Sequence, residues 1–204
     1  MTAVPEAMLF DLFGVIALTQ SAESEQALAS IAGAPVDDFL DAYWRPRAPY
    51  DRGELTAADY WRQVAADLGA VFDDDRVGAL VTADVASWAG VDEAMVAYVE
   101  RAAASAVRLG LLSNIPEDLA ADFERRHRWL RCFEVVAFSC RTGLAKPDPE
   151  AYLHCCREFG LAPERVLFID DRTENVRAAE RLGMAARLFT GGSEDPFEGG
   201  LPLQ

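Results

Sequence analysis

Positive charge is scarce in this 204-residue chain. Nineteen Lys and Arg residues face 34 Asp and Glu, which leaves a formal net charge of −15. Such a field repels phosphate backbones, so nucleic acid is not an expected partner. An anionic ligand would need a local cationic pocket to override it. Cysteine is sparse too: Cys132, Cys140, Cys155 and Cys156 show neither CxxC spacing nor a Cys/His zinc pattern. They read as reduced thiols of a cytoplasmic protein, with the Cys155–Cys156 pair packing inside a helix. No apolar run approaches the ~18–20 residues of a membrane helix, so no membrane partner is expected. The first residues lack the basic, apolar, small-residue order of a secretion signal. There is no repeat or low-complexity tract. The Gly-, Pro- and acid-rich stretch 191–204 predicts loose packing.

What is present is an ordinary globular composition, 51% hydrophobic and 26% charged. It allows one packed core, with or without a small appendage. Residues 7–11 form a short apolar run ending in an acid, which reads as a buried strand followed by a loop. Residues 20–89 then read as entirely helical. Phe39, Leu40, Tyr43 and Trp44 recur at helical spacing. So do Tyr60, Trp61, Val64 and Leu68, behind a capping-box-like Thr56-Ala-Ala-Asp59. Val77, Leu80, Val81, Val85 and Trp88 make a third stripe, and core packing explains such aromatics well.

After Gly90 the rhythm changes to alternating helices (92–104, from 116, 149–159, 173–182) and strands (107–112, 134–139, 166–169, 185–189). Asp148-Pro149 opens one helix and Gly160 closes it, while Gly183 stops another. This alternation predicts a Rossmann-like, doubly wound, mainly parallel α/β sheet with helices on both faces. The expected organisation is a core from residues 1–18 and 90–204, with an all-helical cap, 19–89, inserted above the carboxyl end of the sheet. Ligands bind at that end in such folds.

Four polar features fall at or just past strand ends: Asp11, Ser113-Asn114, Lys146 and Asp170-Asp171. Singly, each has a bland alternative as a helix cap, a turn or a solvated loop. Together and in this order they suit phosphoryl transfer. A carboxylate can attack phosphorus and form an aspartyl-phosphate that water then hydrolyses. Both reactants are negative, so cations are needed. Magnesium takes oxygen ligands and few protein carboxylates, which Asp11, Asp171 and Asp170 could supply. Lys146 can serve nucleophile and phosphate as a point charge. The Ser113 hydroxyl and the Asn114 backbone N–H, near a helix start, suit phosphate oxygens.

The segments FDLFGVI (10–16), LLSN (111–114), LAKPDPEAY (144–152) and LFIDDRTEN (167–175) resemble, in order and spacing, the motifs of the haloacid dehalogenase-like hydrolase superfamily. The resemblance covers nearly the whole chain. It implies a Rossmann-like core and, in one large branch, a helical cap after the first strand. YDRGELTAADYW (50–61) is similar to the cap of bacterial members acting on sugar phosphates and related metabolites. Carried over by motif, Asp11 would be the nucleophile and Phe13 would offer its backbone carbonyl to Mg2+. Ser113 would bind phosphate, Lys146 would orient both partners, and Asp171 would ligate the metal, with Asp170 direct or through water. Phe13 and Gly14 would line the substrate site.

One position departs from the family's phosphatases. Most carry a second Asp two residues after the nucleophile, as acid and base. Phe13 stands there, and general acid–base help is typically worth ~10²–10⁴-fold. Three readings stay open. The chain is a phosphatase of small phosphorylated metabolites that draws a proton elsewhere, with Asp51 and Glu54 as candidates. Or it is a 2-haloacid dehalogenase, whose relatives have an aromatic residue at that position and release halide without a proton. Those enzymes are metal-free, however, whereas here Asp170-Asp171 lie beside Asp11. Or it is a binding protein on an enzyme fold. Specificity is expected from the cap, where Tyr43, Trp44, Arg45, Arg47, Tyr50, Asp51 and Arg52 cluster. They are either a helix end packing on the core or a pocket floor in which Arg45, Arg47 and Asp51 contact a polar, anionic metabolite. A lid of that size excludes polymers. The sequence leaves monomer or homodimer open.

Overall fold

The computed structural model describes residues 5–191. The tail beyond residue 191, expected above to pack loosely, lies outside them. Ala7–Phe10 forms β1, and all four residues are buried. Met8 and Phe10 enter one apolar cluster and Ala7 and Leu9 another. Successive side chains of a strand point to opposite faces, so a strand covered on both faces needs an unbroken apolar run.

β2 (Arg108–Ser113), β3 (Val135–Phe138), β4 (Val166–Asp170) and β5 (Ala185–Leu188) complete a sheet of order β3-β2-β1-β4-β5. Its pairings are all parallel. The Rossmann-like α/β expectation is met. Leu9 lies opposite Gly110 on one side and Phe168 on the other. The chain winds outward through β2 and β3, then returns to set β4 against the free side of β1. Where the direction reverses, the loops after β1 and β4 part and open a crevice at the carboxyl ends.

The helices α6 (Glu93–Ala104) and α7 (Glu117–Arg126) cover the Met8 face with Met95, Val99, Leu119 and Phe123. On the other face lie α9 (Pro149–Phe159) and α10 (Thr173–Arg181), contributing Tyr152, Cys155, Phe159 and Ala178. Asp92 caps α6 through the Ala94 and Met95 N–H groups, and Asp148 caps α9. All four cysteines are free, and Cys155 and Cys156 are buried packing residues. The single turn α8 (Ser139–Thr142) follows β3.

The stretch 20–89, read as one helical region, contains α1 (Ala22–Ala32), α2 (Val36–Trp44), α3 (Arg47–Asp51), α4 (Ala57–Asp67) and α5 (Asp74–Ser87). Thr56 caps α4, accepting from the Asp59 N–H. These helices bury a cluster of their own, including Leu28, Phe39, Tyr43, Trp61, Val64 and Leu80, with no member from the sheet. Trp88 belongs instead to the sheet cluster. The segments entering and leaving this region run side by side. The Asp92 N–H donates to the Ile16 carbonyl at 2.9 Å and the Leu18 N–H to the Gly90 carbonyl at 2.9 Å. Among the described residues, no helix is long and apolar enough to cross a membrane.

Candidate active site

Asp11 is the first residue past β1, and Asp170 is the last of β4. The parallel register brings them together: Phe10 pairs with Ile169. Lys146, on the loop before α9, reaches between them. Its Nζ lies 2.6 Å from Asp11 Oδ1 and 2.8 Å from Asp170 Oδ2. It is the chain's single lysine. Asn114, just past β2, fixes that loop. Its Nδ2 donates to the Lys146 carbonyl at 2.9 Å and its Oδ1 accepts from the Lys146 N–H at 2.8 Å. Of the four groups singled out at strand ends, all converge, although Asn114 acts through its side chain on Lys146.

Asp170 is saturated. Besides Lys146 it accepts from the Arg172 N–H at 2.8 Å and from Asn175 Nδ2 at 3.0 Å to each oxygen. Asp171 is exposed, and Asp11, Asp170 and Asp171 bring carboxylate oxygens within 4.8 Å of one another. Gly14 makes room for this. Its φ is +80°, and a Cβ there would stand 2.3 Å from Asp171 Oδ2, so both conformation and space demand glycine. The Ser113 Oγ is buried with no hydrogen-bond partner among the described residues. A buried hydroxyl left so is costly unless something else supplies the partner. Phe13 is held by edge contacts to Trp88 at 4.8 Å and Phe123 at 5.5 Å.

The electrostatics are asymmetric. Burial, with Asp170 adding to it against the pull of Lys146, pushes the Asp11 carboxyl up to about 7. Burial would raise Asp170 too, but Lys146, the Arg172 N–H and Asp11 hold it below the usual range. Burial and then Asp170 raise Asp171. Three carboxylates share one ammonium, so the crevice keeps an excess of negative charge. The oxygen-only donor set, the room left at Gly14 and the orphaned Ser113 hydroxyl fit a divalent cation together with a phosphoryl group.

The crevice opens into a cavity of about 340 Å3 that also involves Phe13, Trp44, Trp88, Arg47, Asp51, Glu25, Asn114 and Arg172. Two expectations need correction. Arg45 does not reach it. Its side chain is 64% exposed and pairs with Asp67 at 3.1 Å, over a separate hollow. One residue past Trp44 on a helical path turns it roughly 100° away. Arg47 lines the cavity but is no open anion receptor. Its Nε lies 2.8 Å from Asp51 Oδ1 and its NH1 3.5 Å from Asp84 Oδ2, deep among the rings of Tyr43, Tyr50, Tyr60 and Trp88. Asp84, which the sequence passed over within a helical stripe, also accepts from the Tyr43 hydroxyl at 2.7 Å. Asp51 lines the cavity as expected, whereas Glu54 is exposed and bound to Arg52. Asn175, which stands in the last motif segment where the dehalogenases' water-activating Asp would be, instead donates its side-chain amide to Asp170.

The helical region is tied down over this cavity. The Tyr50 hydroxyl donates to Asp118 Oδ2 at 2.7 Å and Ser139 Oγ to the Asp51 carbonyl. Gly53, with φ +73°, sits where a Cβ would be 2.3 Å from the Cys140 carbonyl.

Similar proteins agree with this architecture. A sesquiterpene phosphatase of Aspergillus oryzae is 25% identical over 192 residues, covering 91% of this chain and 90% of its own. A HAD family enzyme of Bacteroides thetaiotaomicron, solved with magnesium and inorganic phosphate, superposes with TM-score 0.76 at 20% identity, over 93% of this chain and 96% of that one. The L-2-haloacid dehalogenase of Xanthobacter autotrophicus, solved with chloropropionic acid covalently bound, gives 0.69 at 16% identity, over 93% and 79%. At such identities the two structures speak for the fold alone. The family model of haloacid dehalogenase-like hydrolases matches residues 5–183, and the chain belongs to that family.

Proposed function

We propose that the protein is a magnesium-dependent phosphatase of a small phosphorylated metabolite, with Asp11 as nucleophile and residues 19–89 as a cap over the site. The observation that carries this is the set of three carboxylates around one ammonium where β1 and β4 part. A crevice with that much uncompensated negative charge suits a divalent cation, and the phosphatase activity named for the Aspergillus relative is in keeping.

Asp11, Asp171 and the Phe13 carbonyl would hold Mg2+, with Asp170 behind them, and the ion would neutralise charge on the phosphoryl group. Lys146 holds the Asp11 carboxylate in one orientation and stands ready to pair with a phosphoryl oxygen. Asn114 fixes Lys146. The Ser113 hydroxyl gains its missing partner from a phosphoryl oxygen. The Asp11 carboxylate then attacks phosphorus, the alcohol departs, and water hydrolyses the aspartyl-phosphate.

The departing oxygen needs a proton that Phe13 cannot give. Asp51, the acid of the cap segment lining the cavity, would supply it. Burial raises its carboxyl above the ordinary range despite Arg47, and Arg47 stabilises the carboxylate left after donation. The halide-releasing alternative gains from Phe13 but leaves Asp171 without a purpose.

The test is release of phosphate from p-nitrophenyl phosphate with and without Mg2+, beside Asp11→Asn and a trial of 2-chloropropionate. Mg2+-dependent turnover lost in Asp11→Asn is expected. Metal-independent chloride release would establish the dehalogenase instead, and inertness toward both with no Mg2+ binding a binding protein.

A further inference from the structure

Lys146 and Arg47 are both buried, and each is gripped by two carboxylates; Arg172, the third cation of the cavity, pairs with Glu174. Lys146 is committed to Asp11, Asp170 and the one phosphoryl group, Arg47 to its two carboxylates, and Arg172 sits in an exposed pair that solvent screens. The cavity is also lined by the Glu25 carboxylate. A carboxylate or second phosphate on the leaving group would therefore meet like charge with no buried counter-ion to spare.

Another kind of surface faces the leaving group. Phe13 meets Trp88 edge to face at 4.8 Å, and Trp88 meets Trp44 at 6.3 Å and 88°. These three rings form one continuous wall of the cavity. Trp44 is 49% exposed, a large ring at the rim that none of the described residues fully covers. The Trp88 indole N–H is already spent on the Tyr43 hydroxyl at 3.1 Å, so it presents apolar surface rather than a donor.

Resting on the phosphatase reading, we infer that the site selects phosphate monoesters of uncharged alcohols with an apolar face, whether aryl, alkyl or the CH face of a neutral sugar. Trp44 and Trp88 determine this specificity, and esters carrying a second negative charge are rejected.

The test uses a matched pair, phenyl phosphate and 3-carboxyphenyl phosphate, whose leaving groups differ little except in charge. The expected kcat/KM is about tenfold or more lower for the carboxylated ester. Trp44→Ala raises KM for phenyl phosphate severalfold and lowers its advantage over methyl phosphate, and Trp44→Phe restores most of that advantage. Equal or better use of the carboxylated ester overturns the inference and leaves the phosphatase reading standing. So does an aryl-to-methyl ratio unmoved by Trp44→Ala. Hydrolysis of none of these esters, by a protein that still binds Mg2+, overturns the phosphatase reading and the inference with it.

Discussion

The cavity has a floor and a roof, and each contains a buried cation between two carboxylates. On the floor, Lys146 stands between Asp11 and Asp170. In the roof, Arg47 stands between Asp51 and Asp84. They differ in what surrounds them. The roof is wrapped in aromatic rings, and a tyrosine hydroxyl bonds both Arg47 and Asp84. The floor adds a third carboxylate, an unpartnered hydroxyl and a glycine that keeps space clear. A closed cluster whose polar groups are satisfied within the protein holds shape. An open cluster with surplus charge of one sign waits for a ligand of the other.

The most severe break is at the nucleophile. Asp11→Asn should lower Mg2+-dependent hydrolysis of p-nitrophenyl phosphate by at least about 10³-fold, read as initial rate with the fold checked by circular dichroism. Removing the central cation comes next and separates the two clusters. Lys146→Met and Arg47→Met each strand buried carboxylates, at a cost of about 3–5 kcal/mol in denaturant unfolding. Mg2+ should recover part of the loss in Lys146→Met and none in Arg47→Met. Equal recovery in both would remove the distinction between floor and roof.

Gly14→Ala drives a methyl group toward Asp171. It should weaken Mg2+ binding about tenfold or more by isothermal calorimetry and, because alanine is strained at this positive φ, lower the Tm by a few degrees.

The smallest effect is on pH. The folded Asp11 carboxyl titrates at about 7, above its ordinary 3.8. The folded state therefore binds this proton more tightly than the unfolded chain, and the contribution to stability falls as pH rises from about 4 to 7. In Mg2+-free buffer, Asp11→Asn should match or exceed the wild-type Tm at pH 8, and this relative gain should shrink toward pH 4. A gain that grows on acidification would show that burial does not dominate this carboxyl.

The floor was largely legible in the sequence because each of its groups sits where an apolar run stops. Parallel strands carry such stops to one edge, so Asp11, Ser113 and Asp170 could be placed together from pattern alone. The roof was not legible. Arg47 and Asp84 are 37 residues apart on different helices, and nothing local marks them as partners. One signal was available. Asp84 interrupts the stripe of Val77, Leu80 and Trp88 at core spacing, and an acid at a core position needs a buried partner. Arg45 and Arg47 looked equivalent in sequence, yet the break at Pro46 between α2 and α3 separates them, one to solvent and one to the interior. Asn175 could be placed in the last motif segment, but its bond to Asp170 could not, because that depends on the return of α10.

Lys146 has a consequence outside catalysis. All the other permanently cationic side chains of this protein are arginines, which amine reagents leave alone. Apart from an α-amino group, the sole primary amine is the one locked between Asp11 and Asp170. Reductive methylation or succinylation followed by intact-mass measurement is thus a single-site accessibility gauge. The count of added groups reports whether the cavity admits solvent-borne reagent, and a phosphate mimic that fills it should protect that one amine.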